Sequence, residues 1–147
     1  PDGMSLRAAV WRPQGEAIGP VGLLQGGAAL IEKHFESVQD LLDRRFAVAT
    51  FDWRGQGASG RRVRVAAKGH VGRFGEYETD LAAIESAVLG DLPRPWFGLA
   101  HSMGAAVALA AARRKCLPFA RLVALAPMVD LAMVARPRLA RALALSL

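Results

Sequence analysis

The sequence predicts an α/β fold, a mostly parallel sheet with helices on both faces. Three observations predict it. Residues 21–24 are a short, continuously apolar run, as expected of a strand buried on both faces, and 46–51 read as another buried strand. Helical patterns at about 31–45 and 76–89 separate such runs, joined by short loops. The stretch Leu99-Ala100-His101-Ser102-Met103-Gly104 reads as strand, tight turn with serine at its tip, then helix.

The elements follow in order. Residues 4–12 alternate loosely and read as a strand ended by Pro13-Gln14-Gly15, and Asp2-Gly3 ahead of them suits a hairpin turn. Residues 21–24 run straight into Gln25-Gly26-Gly27-Ala28-Ala29. The first helix, about 31–45, places Ile31, Phe35, Val38 and Leu42 on one face, with Glu32 near its start and Arg44-Arg45 at its end to complement the dipole. Strand 46–51 ends in the glycine-punctuated loop Asp52-Trp53-Arg54-Gly55-Gln56-Gly57-Ala58-Ser59-Gly60, and residues 61–75 are basic and irregular. A second helix, about 76–89, turns Tyr77, Leu81, Ile84 and Val88 inward until residues 91–95 break it. After Ser102 come an alanine-rich helix at 105–112 and a last strand at 121–126, closed by Pro127. The tail 131–147 carries Arg136, Arg138 and Arg141 among leucines and alanines, and Pro137 can start a helix with Leu139 and Leu143 on one face.

Composition narrows the classes of function. With 52% hydrophobic and 22% charged residues, 147 residues make one globular domain with a real core. No apolar run is long enough to span a membrane, and no secretory signal opens the chain, although the first residue is Pro1 and further sequence upstream is expected. The single cysteine, Cys116, excludes an internal disulfide and reads as a buried or half-buried spectator in a reducing, cytoplasmic setting. The net charge of +6 is scattered and mostly arginine, without interleaved aromatics, which argues against nucleic acid and for a solvated surface. The basic tail leaves peripheral contact with an anionic membrane open.

The candidate chemistry centres on Ser102. Its surroundings read A-x-S-x-G, with Gly104 two residues after the serine and Ala100 where glycine is usual; the competing reading is a serine N-cap on a buried helix. A serine nucleophile needs a base, an orienting acid and an oxyanion hole. The backbone N–H groups of Met103 and of Gly27 in the Gly26-Gly27 turn are the candidate oxyanion donors. The base is harder to place. His101 adjoins the serine and should point elsewhere, His34 lies beside the apolar stripe of the first helix, and His70 sits in a loop within reach but unmarked. No histidine follows Ser102, and Asp130 is the one acid downstream, an orienting carboxylate or a helix cap. No spacing fits zinc, and Gly55-Gln56-Gly57 lacks the lysine of a phosphate loop. Asp52 and Arg54 are expected to tie their loop down by an ion pair.

Four stretches together carry a resemblance: Leu23-Leu24-Gln25-Gly26; Phe51-Asp52-Trp53-Arg54-Gly55-Gln56-Gly57-Ala58-Ser59; Gly69-His70-Val71 before Tyr77-Glu78-Thr79-Asp80-Leu81; and Ala100-His101-Ser102-Met103-Gly104. In these the chain resembles the lysophospholipase and monoacylglycerol lipase branch of the α/β-hydrolase superfamily. The resemblance implies an α/β-hydrolase fold with its C-terminal half and most of its cap missing, residues 1–130 forming the N-terminal part of the core and 131–147 the start of the cap. It implies a serine esterase acting on lysophospholipids or monoacylglycerols, small-molecule lipid esters, through an acyl-enzyme on Ser102 and with no metal or organic cofactor. The family's acid and histidine would then lie beyond residue 147. Such a fragment is not expected to hydrolyse esters efficiently or to fold stably alone, because an edge strand would be uncovered. Gln25 departs from the family's usual histidine at the oxyanion loop. An acyltransferase, a peptidase or a carbon–carbon hydrolase shares the same turn, and a non-catalytic hydrolase-like binding protein would suit Gln25, Ala100 and the missing base.

Overall fold

Five strands form one sheet in the order β1-β3-β2-β4-β5 in the computed structural model, which describes residues 2–65 and 69–129. They are β1 (Ala8–Trp11), β2 (Gly19–Leu24), β3 (Phe46–Phe51), β4 (Phe97–His101) and β5 (Arg121–Leu125). β1 runs antiparallel to β3, while the β3-β2, β2-β4 and β4-β5 pairs are parallel. Each parallel connection carries a helix: α1 (Phe35–Asp43), α2 (Gly75–Ala87) and α3 (Met103–Arg113).

The apolar runs have the reason expected of them, since successive residues of one strand face opposite layers. Leu23 and Val48 pack with Val38, Leu41 and Leu42 of α1 on one side. Their chain neighbours Leu24 and Ala49 pack on the other side with Tyr77, Leu81 and Ile84 of α2 and Val107, Ala108 and Ala111 of α3. Helices therefore cover both faces. The alanines of α3 bring that helix close to the sheet, with Ala105 and Ala108 both fully buried. Gly22 and Gly98 leave room for the Phe119 ring, where an added Cβ would fall 2.6 and 2.7 Å from ring carbons. Among the described residues no helix is long and apolar enough to cross a membrane.

Several boundaries differ from the sequence reading. The first strand starts at Ala8 rather than residue 4, because Ser5 and Arg7 are bonded to the loop after β3: Gly60 N donates to Ser5 O at 2.7 Å, Asp52 N to Arg7 O at 2.9 Å, and Arg7 N to Ser59 Oγ at 2.8 Å. The first helix splits into a 3-10 turn, Ile31–His34, followed by α1, and Phe35 is 52% exposed, edge-on to Trp11, instead of lying in the core. The second helix ends at Ala87 and continues as a 3-10 turn, Leu89–Asp91. Cys116 is exposed, not buried. The end of α3 explains it: Lys115 adopts φ +59°, Lys115 N donates to Ala112 O and Cys116 N to Ala111 O, a Schellman turn that swings the chain off the helix. Asp130 and the region assigned to a cap, 131–147, lie outside the described residues.

Candidate active site

One residue, Ser102, separates β4 from α3. It adopts φ +50°, ψ −112°, a conformation that costs a non-glycine residue free energy and persists only where neighbours hold it. They do so here. Ser102 N donates to Leu125 O at 3.0 Å, and Ser102 O accepts from Ala106 N at 3.0 Å and Met128 N at 3.1 Å. Its side chain makes no capping bond to α3, so the N-cap reading is not what the structure shows. The half-buried hydroxyl stands at the helix N-terminus, where unsatisfied N–H groups and the helix dipole favour negative charge.

The small residues around it are not equivalent. A Cβ on Gly104 would lie 2.5 and 2.6 Å from the Leu24 and Gln25 carbonyl oxygens, backbone atoms at the end of β2 that cannot step aside. Ala100, by contrast, is accommodated with no exposed surface. Gly26 packs against the same turn, since a Cβ there would lie 3.3 Å from Ser102 Cβ and 3.0 Å from His101 Nδ1. Gly27 faces Met103, its built Cβ 3.7 Å from Met103 Sδ. The fold thus brings together Ser102, Met103, Gly104, Ala100 and the Gly26-Gly27 turn.

Gln25 holds that turn to the glycine loop. Its Nε2 donates to Phe51 O at 2.6 Å and Asp52 Oδ1 at 3.1 Å, and its backbone oxygen accepts from Trp53 Nε1 at 2.8 Å. Asp52, fully buried, also accepts from Ile31 N and Ala58 N, each at 2.9 Å, and pairs with Arg7 Nε at 3.1 Å. Arg54 faces away toward α2 and pairs with Asp80, Glu76 and Asp2 at 2.6 to 2.7 Å. The expected ion pair between Asp52 and Arg54 is therefore replaced by two separate anchors. The hydrogen bonds that Arg54 donates to Asp80 hold its guanidinium firmly charged, while burial works against the Asp80 carboxylate and pushes its pKa up.

A pocket of about 410 Å³ lies between these loops, walled by Gly27, Leu30, Gln56, Gly57, Tyr77 and Met103 among others. Its wall reaches Met103 but not Ser102 itself. The sequence marked neither Gln56 nor Tyr77 as a site residue; Gln56 stands between Gly55 and Gly57 in the glycine-punctuated loop after β3.

None of the three described histidines bonds to Ser102. His101 is exposed beside Gly26. His34 is half-buried with Nε2 unpartnered, and burial, then the charges of His101 and Lys33, lower its pKa. His70 is exposed, its backbone packed against Gly55. Among the described residues no three His, Cys, Asp or Glu side chains converge as a metal site requires.

A mainly parallel sheet covered on both faces, with a strained serine at the β4–α3 junction, defines an α/β-hydrolase. A profile of the family described as serine aminopeptidase, S33, matches residues 15–147, and the chain belongs to that family. It is similar to lysophospholipase L2 of Escherichia coli (strain K12), 44% identical over 78 residues, which cover 51% of this chain and 22% of that protein. Among solved structures it superposes on the monoacylglycerol lipase of Paleococcus ferrophilus with a TM-score of 0.70 at 24% identity, over 86% of this chain and 45% of that one. A soluble variant of monoglyceride lipase from Saccharomyces cerevisiae gives a TM-score of 0.71 at 23% identity, over 93% and 46%. Est1E from Butyrivibrio proteoclasticus gives 0.73 at 23%, over 92% and 54%. The chain therefore spans about half the length of these solved relatives and a smaller share of the curated one.

Proposed function

We propose that the protein is a serine hydrolase that cleaves carboxylic esters of lipids, lysophospholipids or monoacylglycerols, through an acyl-enzyme on Ser102. The observation that carries this reading is the strained, uncapped Ser102 between β4 and α3, facing the Gly26-Gly27 turn. Ser102 Oγ attacks the ester carbonyl as a base takes its proton. The carbonyl oxygen becomes an oxyanion that accepts from the N–H groups of Met103 and Gly27, and the alcohol leaves with the proton. Water then attacks the acyl-enzyme and releases the acid. We assign the base and its orienting acid to the part of the solved relatives that this chain does not span, since His34, His70 and His101 make no bond to Ser102. The lysophospholipase and monoacylglycerol lipases among the relatives support a lipid ester.

A peptidase is the second reading, favoured by the family's description as aminopeptidases; the same turn can attack an amide. Full-length protein should label covalently with a fluorophosphonate, and Ser102→Ala should lose both labelling and ester hydrolysis, the latter by roughly 10⁴-fold or more. Labelling that survives Ser102→Ala sinks the assignment. Faster turnover of aminoacyl anilides than of lipid esters would favour the peptidase.

A further inference from the structure

We propose that the pocket between Gly27, Gln56, Tyr77 and Met103 is the subsite for the leaving alcohol, and that Gln56 recognises a free hydroxyl on an uncharged, glycerol-like leaving group. This rests on the serine-hydrolase reading above and sharpens it, because it separates monoacylglycerols from lysophospholipids.

Gln56 is the observation behind it. The residue is 8% exposed and lines the pocket; its amide shares a side-chain hydrogen bond with Tyr77 and its Nε2 makes a long contact of 3.8 Å to Met103 Sδ, a weak acceptor, yet its Oε1 has no partner. An unsatisfied buried amide costs about 1–3 kcal/mol. The other buried polar side chains of the same loop do not bear that cost: Asp52 and Arg54 each have several partners, and Ser59 Oγ bonds to Arg7 N and Asp52 O. Gln25 also has an unpartnered Oε1, but its Nε2 makes two good bonds and it does not line the pocket. Among the described residues, Gln56 alone presents an unmet amide oxygen in the wall of this pocket, beside a residue assigned to the oxyanion hole.

The chemistry of the walls selects the ligand. Tyr77 stands beside Gln56, and burial raises the pKa of its hydroxyl, which therefore remains a neutral donor and acceptor. A ligand hydroxyl can donate to Gln56 Oε1 and accept from Tyr77 or from Nε2. An acyl chain can do neither and would leave the amide unpaired. A phosphodiester brings a negative charge, and among the described residues that line the pocket none is Arg or Lys to meet it. The volume of about 410 Å³ lies within the range of small-molecule sites. A hydroxylated, neutral alcohol is what remains.

The test compares Gln56→Leu with wild type in the full-length protein, on a monoacylglycerol, the propyl ester of the same acyl chain and the corresponding lysophosphatidylcholine. We expect Gln56→Leu to lower kcat/KM about tenfold or more for the monoacylglycerol and several-fold less for the propyl ester, with covalent fluorophosphonate labelling of Ser102 retained. Wild type should prefer the monoacylglycerol to the lysophosphatidylcholine. Equal losses on both neutral esters, no loss on either, or preference for the lysophosphatidylcholine overturns the proposal while leaving the nucleophile standing. A wild type that neither labels nor hydrolyses any ester overturns the underlying reading instead. A measurement free of variants guards against a Gln56→Leu protein that does not fold. Glycerol should slow fluorophosphonate labelling of wild type where propan-1-ol at the same concentration does not, and equal effects of the two alcohols count against the subsite.

Discussion

Three glycines near the site make different demands on the fold, and substitution by alanine separates them. At Gly104 the new methyl meets backbone carbonyl oxygens at 2.5 and 2.6 Å, so either α3 or the end of β2 must move. At Gly57 it meets Asp52 Oδ2 at 2.1 Å, and φ is already +50°. Overpacking of this kind costs about 1–3 kcal/mol, and a left-handed alanine adds about 1 kcal/mol at Gly57. Gly27 has nothing nearer than 3.7 Å and no positive φ, so Gly27→Ala should stay within about 0.5 kcal/mol of wild type. Urea midpoints of the three variants check the order. His34 supplies a pH effect of known sign. Burial lowers its folded pKa, so the unfolded chain, with a histidine of about 6.5, takes up a proton that the folded chain refuses. Its contribution to stability is present above that pH and is lost as pH falls through the folded value. His34→Gln should therefore flatten the decline in urea midpoint between about pH 7 and pH 5, and an unchanged slope would show that His34 is not its source. The need for glycine at 104 was legible in the sequence, because strand and helix must approach there. The exposure of Cys116 was not, since nothing local announces that Lys115 takes a positive φ and turns the chain outward.

At the scale of elements, Arg54 fastens the glycine loop to α2 and to the N-terminal segment, through Asp80, Glu76 and Asp2. Arg54→Met would leave the Asp80 carboxylate buried and unpaired, a loss of about 3–5 kcal/mol. Replacing both, Arg54→Met with Asp80→Leu, removes the stranded charge and should be less destabilised than Arg54→Met alone. Chemical denaturation of the two proteins decides it, and a double variant as unstable as the single one would mean that the loop needs the ions for geometry. The elements whose boundaries were legible are those fixed by their own periodicity: β3 runs over Phe46–Phe51 as read, and α2 turns Tyr77, Leu81 and Ile84 into the core. The misplaced ones depend on distant partners. β1 is cut short because Ser5 and Arg7 bond to Gly60, Asp52 and Ser59, far along the chain. The ion pair expected between Asp52 and Arg54 was wrong for the same reason, their partners being Arg7 and Asp80.

For the molecule as a whole, alternation of strands and helices made the parallel sheet readable, but not its order, which packing between distant segments decides. Among the described residues β5 ends that order as an edge. Val123 and Leu125 on it are 56% and 48% exposed, on the face where Leu99 of the neighbouring strand packs toward the α1 layer. Unpaired edge N–H and C=O groups beside exposed apolar side chains are a template for association with another chain. A polypeptide of these 147 residues should therefore self-associate with rising concentration in sedimentation velocity. Val123→Lys should weaken that association without changing the far-ultraviolet circular dichroism, because the side chain stands out from the sheet. Sedimentation as a monomer across the concentration range would overturn this and would mean that residues outside the described set cover the face. Association unaffected by lysine at 123 would place the contact on another surface.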